Sequence, residues 1–166
     1  MPLVHCGIAK KVVAISSGMG DVDFVNQLEL DVAASYAISK AGLNMAVAKY
    51  NAIYKGDGIL FMGICPGSVD TEGGRAKIGE FHFLNVTKQS RNRFRANLCS
   101  AIVVNDEDAK RIGILSEKFM TYAPDFKGPA PPETSAMEVM NVVYNASLQK
   151  GSGGSFVSHV GPKRWM

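Results

Sequence analysis

Tyr36 and Lys40 stand four residues apart, and Ser17 precedes the tyrosine by nineteen positions. Residues four apart on a helix share a face, so the phenol and the ammonium project together. An isolated tyrosine holds its proton up to about pH 10. A neighbouring cation stabilises the phenolate and turns the group into a usable general acid or base. A serine hydroxyl at the end of an adjacent strand would hold a carbonyl or alcohol oxygen beside the phenol. These residue types define proton transfer on an alcohol/carbonyl couple, a chemistry that needs a hydride carrier. Alone, Tyr-x-x-x-Lys also describes many solvated helix faces, so the elements that carry it decide.

The apolar run Lys11-Val-Val-Ala-Ile15 leads into Ser16-Ser17-Gly-Met-Gly20. The Tyr36 helix follows, continuing through Ala41-Gly42-Leu43-Asn44. A second apolar run, Ile59-Leu-Phe-Met-Gly-Ile64, ends in Cys65-Pro66-Gly67-Ser68-Val69-Asp70-Thr71, and the chain closes on Gly154-Ser-Phe-Val-Ser-His-Val160. This succession resembles the second half of a short-chain dehydrogenase/reductase, and is most similar to fungal-type members ending in a Phe-Val-Ser-His strand. The resemblance covers most of the chain outside a central stretch.

The resemblance implies roles residue by residue. Ser17 would orient the substrate and Tyr36 would be the acid/base. Lys40 would lower the tyrosine pKa and hydrogen-bond the nicotinamide ribose. Pro66, Gly67 and Val69 would line the nicotinamide edge, and Thr71 would bond its carboxamide or a phosphate. Ser16 reads as a strand-end residue that satisfies backbone. The family's Thr-Gly-x-x-x-Gly-x-Gly loop and its Asn-Asn-Ala-Gly segment do not occur in these 166 residues. Such glycine loops bring a pyrophosphate onto the amides of a helix N-terminus. The expectation is therefore a truncated chain lacking the nucleotide-binding half.

Composition agrees with a globular chain: 46% of residues are hydrophobic and 20% charged. That balance argues against wholesale disorder. A net charge of +3 is too small to indicate a nucleic-acid partner. The excess is local: Arg75, Lys77, Lys88, Arg91, Arg93 and Arg95 face a single carboxylate, Glu80, in that stretch. Cys6, Cys65 and Cys99 form no Cys-x-x-Cys and no zinc spacing with His5, His82 or His159, so no metal is expected. Three unpaired thiols without a signal peptide suggest a reduced, cytoplasmic protein. Cys65 reads as a small core residue. The apolar runs are strand-sized, well short of the ~20 residues of a membrane span.

Strands and helices alternate. Val12 to Ser16 reads as a buried parallel strand, and residues 21–32 as a loop or short helical excursion. A helix runs from about Ala33 to Tyr54, with apolar residues at Ala37, Ile38, Ala41, Met45, Ala48 and Ile53 at helical spacing. Lys55-Gly-Asp-Gly58 would end it with a left-handed glycine. Ile59 to Ile64 and Phe156 to Val160 are the other strands. Pro132 to about Gln149 reads as a helix that either starts on a Ser135–Glu138 capping box or holds Pro132 in its first turn.

From about Gly73 to Glu117 the sequence is basic and poorly periodic. It reads as a substrate lid, an irregular insertion, a nucleic-acid patch, or translated non-coding or frame-drifted sequence. The expected whole is one α/β domain over 1–166, a partial Rossmann-type, doubly wound parallel sheet with three core strands. By resemblance it is an NADP- or NAD-dependent oxidoreductase acting on a small-molecule carbonyl or alcohol, with no nucleic-acid or membrane partner. The resemblance also implies a homo-oligomer paired through helix faces. The alternative is a catalytically inactive remnant, a pseudoenzyme acting through protein interaction.

Overall fold

A computed structural model of the chain describes residues 2–70, 114, 117–126, 128–161 and 164–165. Thr71 and nearly all of the basic stretch 73–117 lie outside these residues. The chain forms two compact units, one of residues 1–69 with 127–166 and one of residues 70–126. Within the second, residues 117–122 are helical, and the Thr121 hydroxyl donates to the Glu117 carbonyl at 2.9 Å.

The first unit contains α1 (Pro2–Cys6), β1 (Lys11–Ile15), a 3-10 turn (Gly18–Gly20), α2 (Val22–Gln27), α3 (Ala34–Tyr54), a second 3-10 turn (Lys55–Asp57), β2 (Leu60–Cys65), α4 (Pro132–Asn145) and β3 (Phe156–Ser158). The three strands form one sheet in the order β1-β2-β3, and both pairings are parallel. Every residue of β2 is buried, as a central strand covered on both faces requires.

Side chains alternate across the pleat, so β2 feeds two cores. Phe61 faces α3, where Ile59, Val47, Tyr54, Val12 and Ala14 surround it. Leu60 and Met62 face α4, packing with Ala146, Val142, Val13 and Val157. Register explains the grouping: Val12 pairs with Phe61 and Val13 with Met62. Helices therefore cover opposite faces of a parallel sheet, the α/β arrangement the alternating sequence anticipates.

Several boundaries carry physical information. Residues 21–32 contain a true helix, α2, whose first turn is capped by Asp21 accepting from the Phe24 amide at 2.8 Å; Phe24, Leu28 and Leu30 are buried. Gly58 ends the α3 region at φ +73°, the left-handed conformation that glycine adopts without Cβ strain. At α4 the capping box does not form. Pro132 occupies the first turn, and the Ser135 hydroxyl instead donates to the Pro66 carbonyl at 2.8 Å. The helix stops at Asn145, short of Gln149. Strand β3 stops at Ser158 because the chain turns back, the Ser158 amide donating to the Gly161 carbonyl at 3.0 Å. The face of α3 that meets the sheet holds Val47, while Ile38, Met45 and Ile53 stay exposed.

Candidate active site

Ser17 follows the carboxyl end of β1 and Pro66–Val69 that of β2, while Tyr36 and Lys40 lie on α3. In open parallel sheets ligands bind at the carboxyl ends of the strands. After β1 the Ser16 amide donates to the Ile64 carbonyl at 2.7 Å, carrying the pairing one residue further. Ser17 then leaves the sheet in an extended conformation and caps the first 3-10 turn, its hydroxyl oxygen accepting from the Met19 amide at 3.3 Å. That use occupies an acceptor site and leaves the hydroxyl proton available to an incoming oxygen.

The turn is pressed against α3. A Cβ on Gly20 would lie 2.7 Å from the Lys40 carbonyl carbon and 2.8 Å from the Ala41 amide nitrogen. Only a glycine permits this approach, and it brings the serine loop to the helix turn that holds the tyrosine–lysine pair. Lys40 Nζ lies 5.6 Å from the centre of the Tyr36 ring, within cation–π range. The same ammonium donates to the Ile15 carbonyl at 3.1 Å, tethering it to the end of β1. Tyr36 is 45% exposed.

Asn44, one helical turn beyond Lys40, completes this attachment. Its Oδ1 accepts from the buried Ser16 hydroxyl at 2.6 Å and its Nδ2 donates to the Gly20 carbonyl at 3.3 Å. The sequence reading gave Asn44 no role. Its position four residues after Lys40 and eight after Tyr36 was the available signal, since all three fall on one helix face.

At the end of β2, several contacts hold the Cys65–Val69 segment. Ser135 donates to the Pro66 carbonyl, the His159 amide donates to the Cys65 carbonyl at 2.9 Å, and Val69 bridges Ala130 in parallel. Gly67 has φ +76°, and a Cβ there would collide with the His159 ring. The ring is steadied in turn by Glu138, whose Oε2 lies 3.6 Å from His159 Nε2. Cys65 fills core space, but its sulfur also accepts from the Gly18 amide at 3.3 Å and from the Gly67 amide. It thus links the serine loop to the Pro66–Gly67 turn. Burial pushes its thiol pKa above the ordinary 9.0, outweighing those amides and the Lys40 charge.

The structure therefore brings Lys40 beside the Tyr36 ring and ties it to the end of β1, packs the serine loop on the same helix turn, and places Pro66, Gly67 and Val69 after the neighbouring strand; Thr71 lies outside the described residues. Among the described residues no group of His, Cys, Asp or Glu could hold a metal ion, and no helix is long and apolar enough to cross a membrane.

No protein-family model matches the chain. Curated relatives do. The short chain dehydrogenase virK of Hypocrea virens is 46% identical over 166 residues, spanning 100% of this chain and 51% of that protein. The short-chain dehydrogenase/reductase iacC of Pestalotiopsis fici is 34% identical, again over 100% of this chain and 51% of the relative. AacuF of Aspergillus aculeatus, another short-chain dehydrogenase/reductase, is 36% identical over 100% and 52%. Among solved structures, an NADPH-bound carbonyl reductase from chicken fatty liver superposes with a TM-score of 0.54 at 19% identity, covering 94% of this chain and 42% of that one. At that identity the likeness concerns the fold. Along its whole length the chain is a relative of the short-chain dehydrogenases/reductases, and it spans about half the length of the curated relatives it matches.

Proposed function

We propose that these residues form the acid/base half of an NADP- or NAD-dependent oxidoreductase acting on a carbonyl/alcohol couple. The observation that carries the reading is the packing of the serine loop onto the Lys40–Ala41 turn of α3, with the Lys40 ammonium beside the Tyr36 ring. The donor set suits the reacting end of a nicotinamide: an exposed phenol with an ammonium beside its ring, and a serine hydroxyl on the loop that packs on the same helix. The cofactor, when bound, supplies or accepts the hydride.

The chain's own groups handle the rest. Ser17 donates its free proton to the substrate oxygen and holds it in place. Tyr36 gives its phenolic proton to that oxygen during reduction, or takes the proton up during oxidation. Lys40 supplies positive charge beside the phenol as the proton moves, and its ammonium is the natural partner for a ribose hydroxyl. Pro66, Gly67 and Val69 would lie along the nicotinamide, and the resemblance assigns Thr71 to its carboxamide or a phosphate. The decisive experiment is Tyr36→Phe in the longest form of the protein that turns over: loss of turnover with an unchanged melting profile supports the reading, and wild-type turnover would end it.

A second reading has its own observation. The chain spans about half the length of its curated relatives, and its sequence contains no Gly-rich phosphate loop. A polypeptide of these 166 residues alone would then act through protein contacts, as an inactive remnant. Calorimetric titration of that polypeptide with NADPH and NADH tests this second reading, because micromolar affinity would exclude it. We also infer that the exposed apolar side chains of α3 pair with a second copy of the chain, in keeping with the resemblance.

A further inference from the structure

Gly18, the residue after Ser17, is held by two different groups. Its amide donates to the Cys65 sulfur, and its α-carbon rests on Trp165. A Cβ placed on Gly18 would come within 2.6 Å of the Trp165 Cβ and 2.7 Å of its Cγ. Trp165 is 4% exposed, and its ring stacks on Phe156 with centroids 4.5 Å apart and planes 13° from parallel. Phe156 in turn pairs in register with Gly63. A Cβ on Gly63 would stand 3.3 Å from the Phe156 ring. A continuous stack thus runs from the centre of β2 through Phe156 and Trp165 to the backbone beside Ser17.

A buried tryptophan ordinarily fills core space. This one meets bare backbone, in a turn of only three residues. The turn's own ties are the Gly20 amide to the Ser17 carbonyl at 2.9 Å and the Asp21 amide to the Gly18 carbonyl at 2.8 Å, with the Ser17 cap. These close the turn on itself, while the Cys65 sulfur, the Asn44 amide and the backbone of α3 hold it at Gly18 and Gly20; Trp165 supplies the remaining contact, on the α-carbon next to Ser17. We propose that Trp165 is a positioning residue for Ser17: backed by Phe156, it fixes Gly18 from the side opposite its own chain neighbours and so aims the serine hydroxyl. The consequence for catalysis rests on the role proposed for Ser17; the packing does not.

Trp165 is the single tryptophan of the sequence, so its emission reports this contact. In the full chain, hydrogen exchange at the Met19, Gly20 and Asp21 amides should quicken about tenfold or more in Trp165→Ala and stay within about threefold in Trp165→Phe, with the β2 amides unmoved. Unchanged exchange at the turn in Trp165→Ala would overturn the proposal. Should that variant fail to fold, Trp165→Leu replaces it under the same criterion. Gly18→Ala must expel the indole and shift its emission to the red; a folded Gly18→Ala protein with native emission would equally overturn it. Where turnover is measurable, Trp165→Ala should lower kcat about tenfold with KM for the nucleotide little changed, and Trp165→Phe should restore it. If Ser17→Ala lowers kcat and Trp165→Ala does not, the positioning role is wrong. If Ser17→Ala itself keeps full kcat, the role of Ser17 is wrong and the exchange result decides the packing alone.

Discussion

The Ser16 hydroxyl and the Asn44 carboxamide meet at 2.6 Å, joining the end of β1 to the middle of α3. Ser16 is 3% exposed, so no solvent replaces the amide if it is removed. Asn44→Leu should therefore cost about 1–3 kcal/mol, the penalty for stranding a buried hydroxyl and freeing the Gly20 carbonyl. Denaturant unfolding measures it, and a loss under half a kcal/mol would show that the loop finds another partner.

Among the proposed catalytic groups the effects should differ in kind. Tyr36→Phe removes the proton itself, a loss of about 10²–10⁴-fold in turnover. Ser17→Ala should act mainly on kcat. Lys40→Met should also weaken nucleotide binding, and it breaks the tether to the Ile15 carbonyl. Steady-state kinetics with varied nucleotide distinguishes the three.

Gly67 and Gly58 both have positive φ, near +76° and +73°, but only Gly67 faces a side chain, the His159 ring. Gly58→Ala should cost only the backbone strain, about 1 kcal/mol. Gly67→Ala adds overpacking of about 1–3 kcal/mol, and His159→Ala in the same chain should recover part of it. Thermal unfolding of the two single variants and the double variant tests this.

The raised pKa of Cys65 makes a prediction of definite sign. In the unfolded chain the thiol ionises first, so above about pH 9 the native state holds the extra proton. The stability linked to Cys65 is then complete below the unfolded pKa and declines as pH rises through the native one, by at most about 1.4 kcal/mol per pH unit. Cys65→Ala should flatten that alkaline decline while lowering stability at neutral pH. Equal slopes in both proteins would exclude the thiol as its source.

Self-association should run through α3, where Ile38 is 71%, Met45 60% and Ile53 64% exposed. Met45→Glu places a charge among them and should shift sedimentation toward monomer without altering the melting profile. A wild-type chain that stays monomeric at high micromolar concentration would remove the proposal.

The strands and the long helix were legible because their signals are local: continuous apolar runs for β1 and β2, a 3.6-residue rhythm for α3, a glycine at its end. The Tyr36–Lys40 pairing was legible for the same reason. What the sequence hid depends on long-range choices. The serine at position 135 looks like a helix cap, yet it is spent on the Pro66 carbonyl because Pro132 already starts the helix. The apolar positions of α3 follow a helical rhythm but do not say which face meets the sheet; Val47 does, and Ile38 does not. Asn44, His159 and Trp165 act through partners distant in the sequence, and no local pattern announces them.

The three strands are neighbours in space, yet β1 ends at Ile15 before β2 begins at Leu60, and β2 ends at Cys65 long before β3 opens at Phe156. Parallel pairing over such separations places the chain among slow folders, because the intervening loop must be closed before any contact rewards it. The shorter closure, β1 with β2 over α3, is expected to form the nucleus, and β3 with the Phe156–Trp165 stack to join afterwards. Substitutions at Val12, Val47 or Phe61 should then slow refolding, whereas those at Phe156 or Trp165 should mainly hasten unfolding. The serine loop would thus acquire its final setting only in the last step of folding, and a chevron comparison of Phe61→Leu with Phe156→Leu would reveal that order.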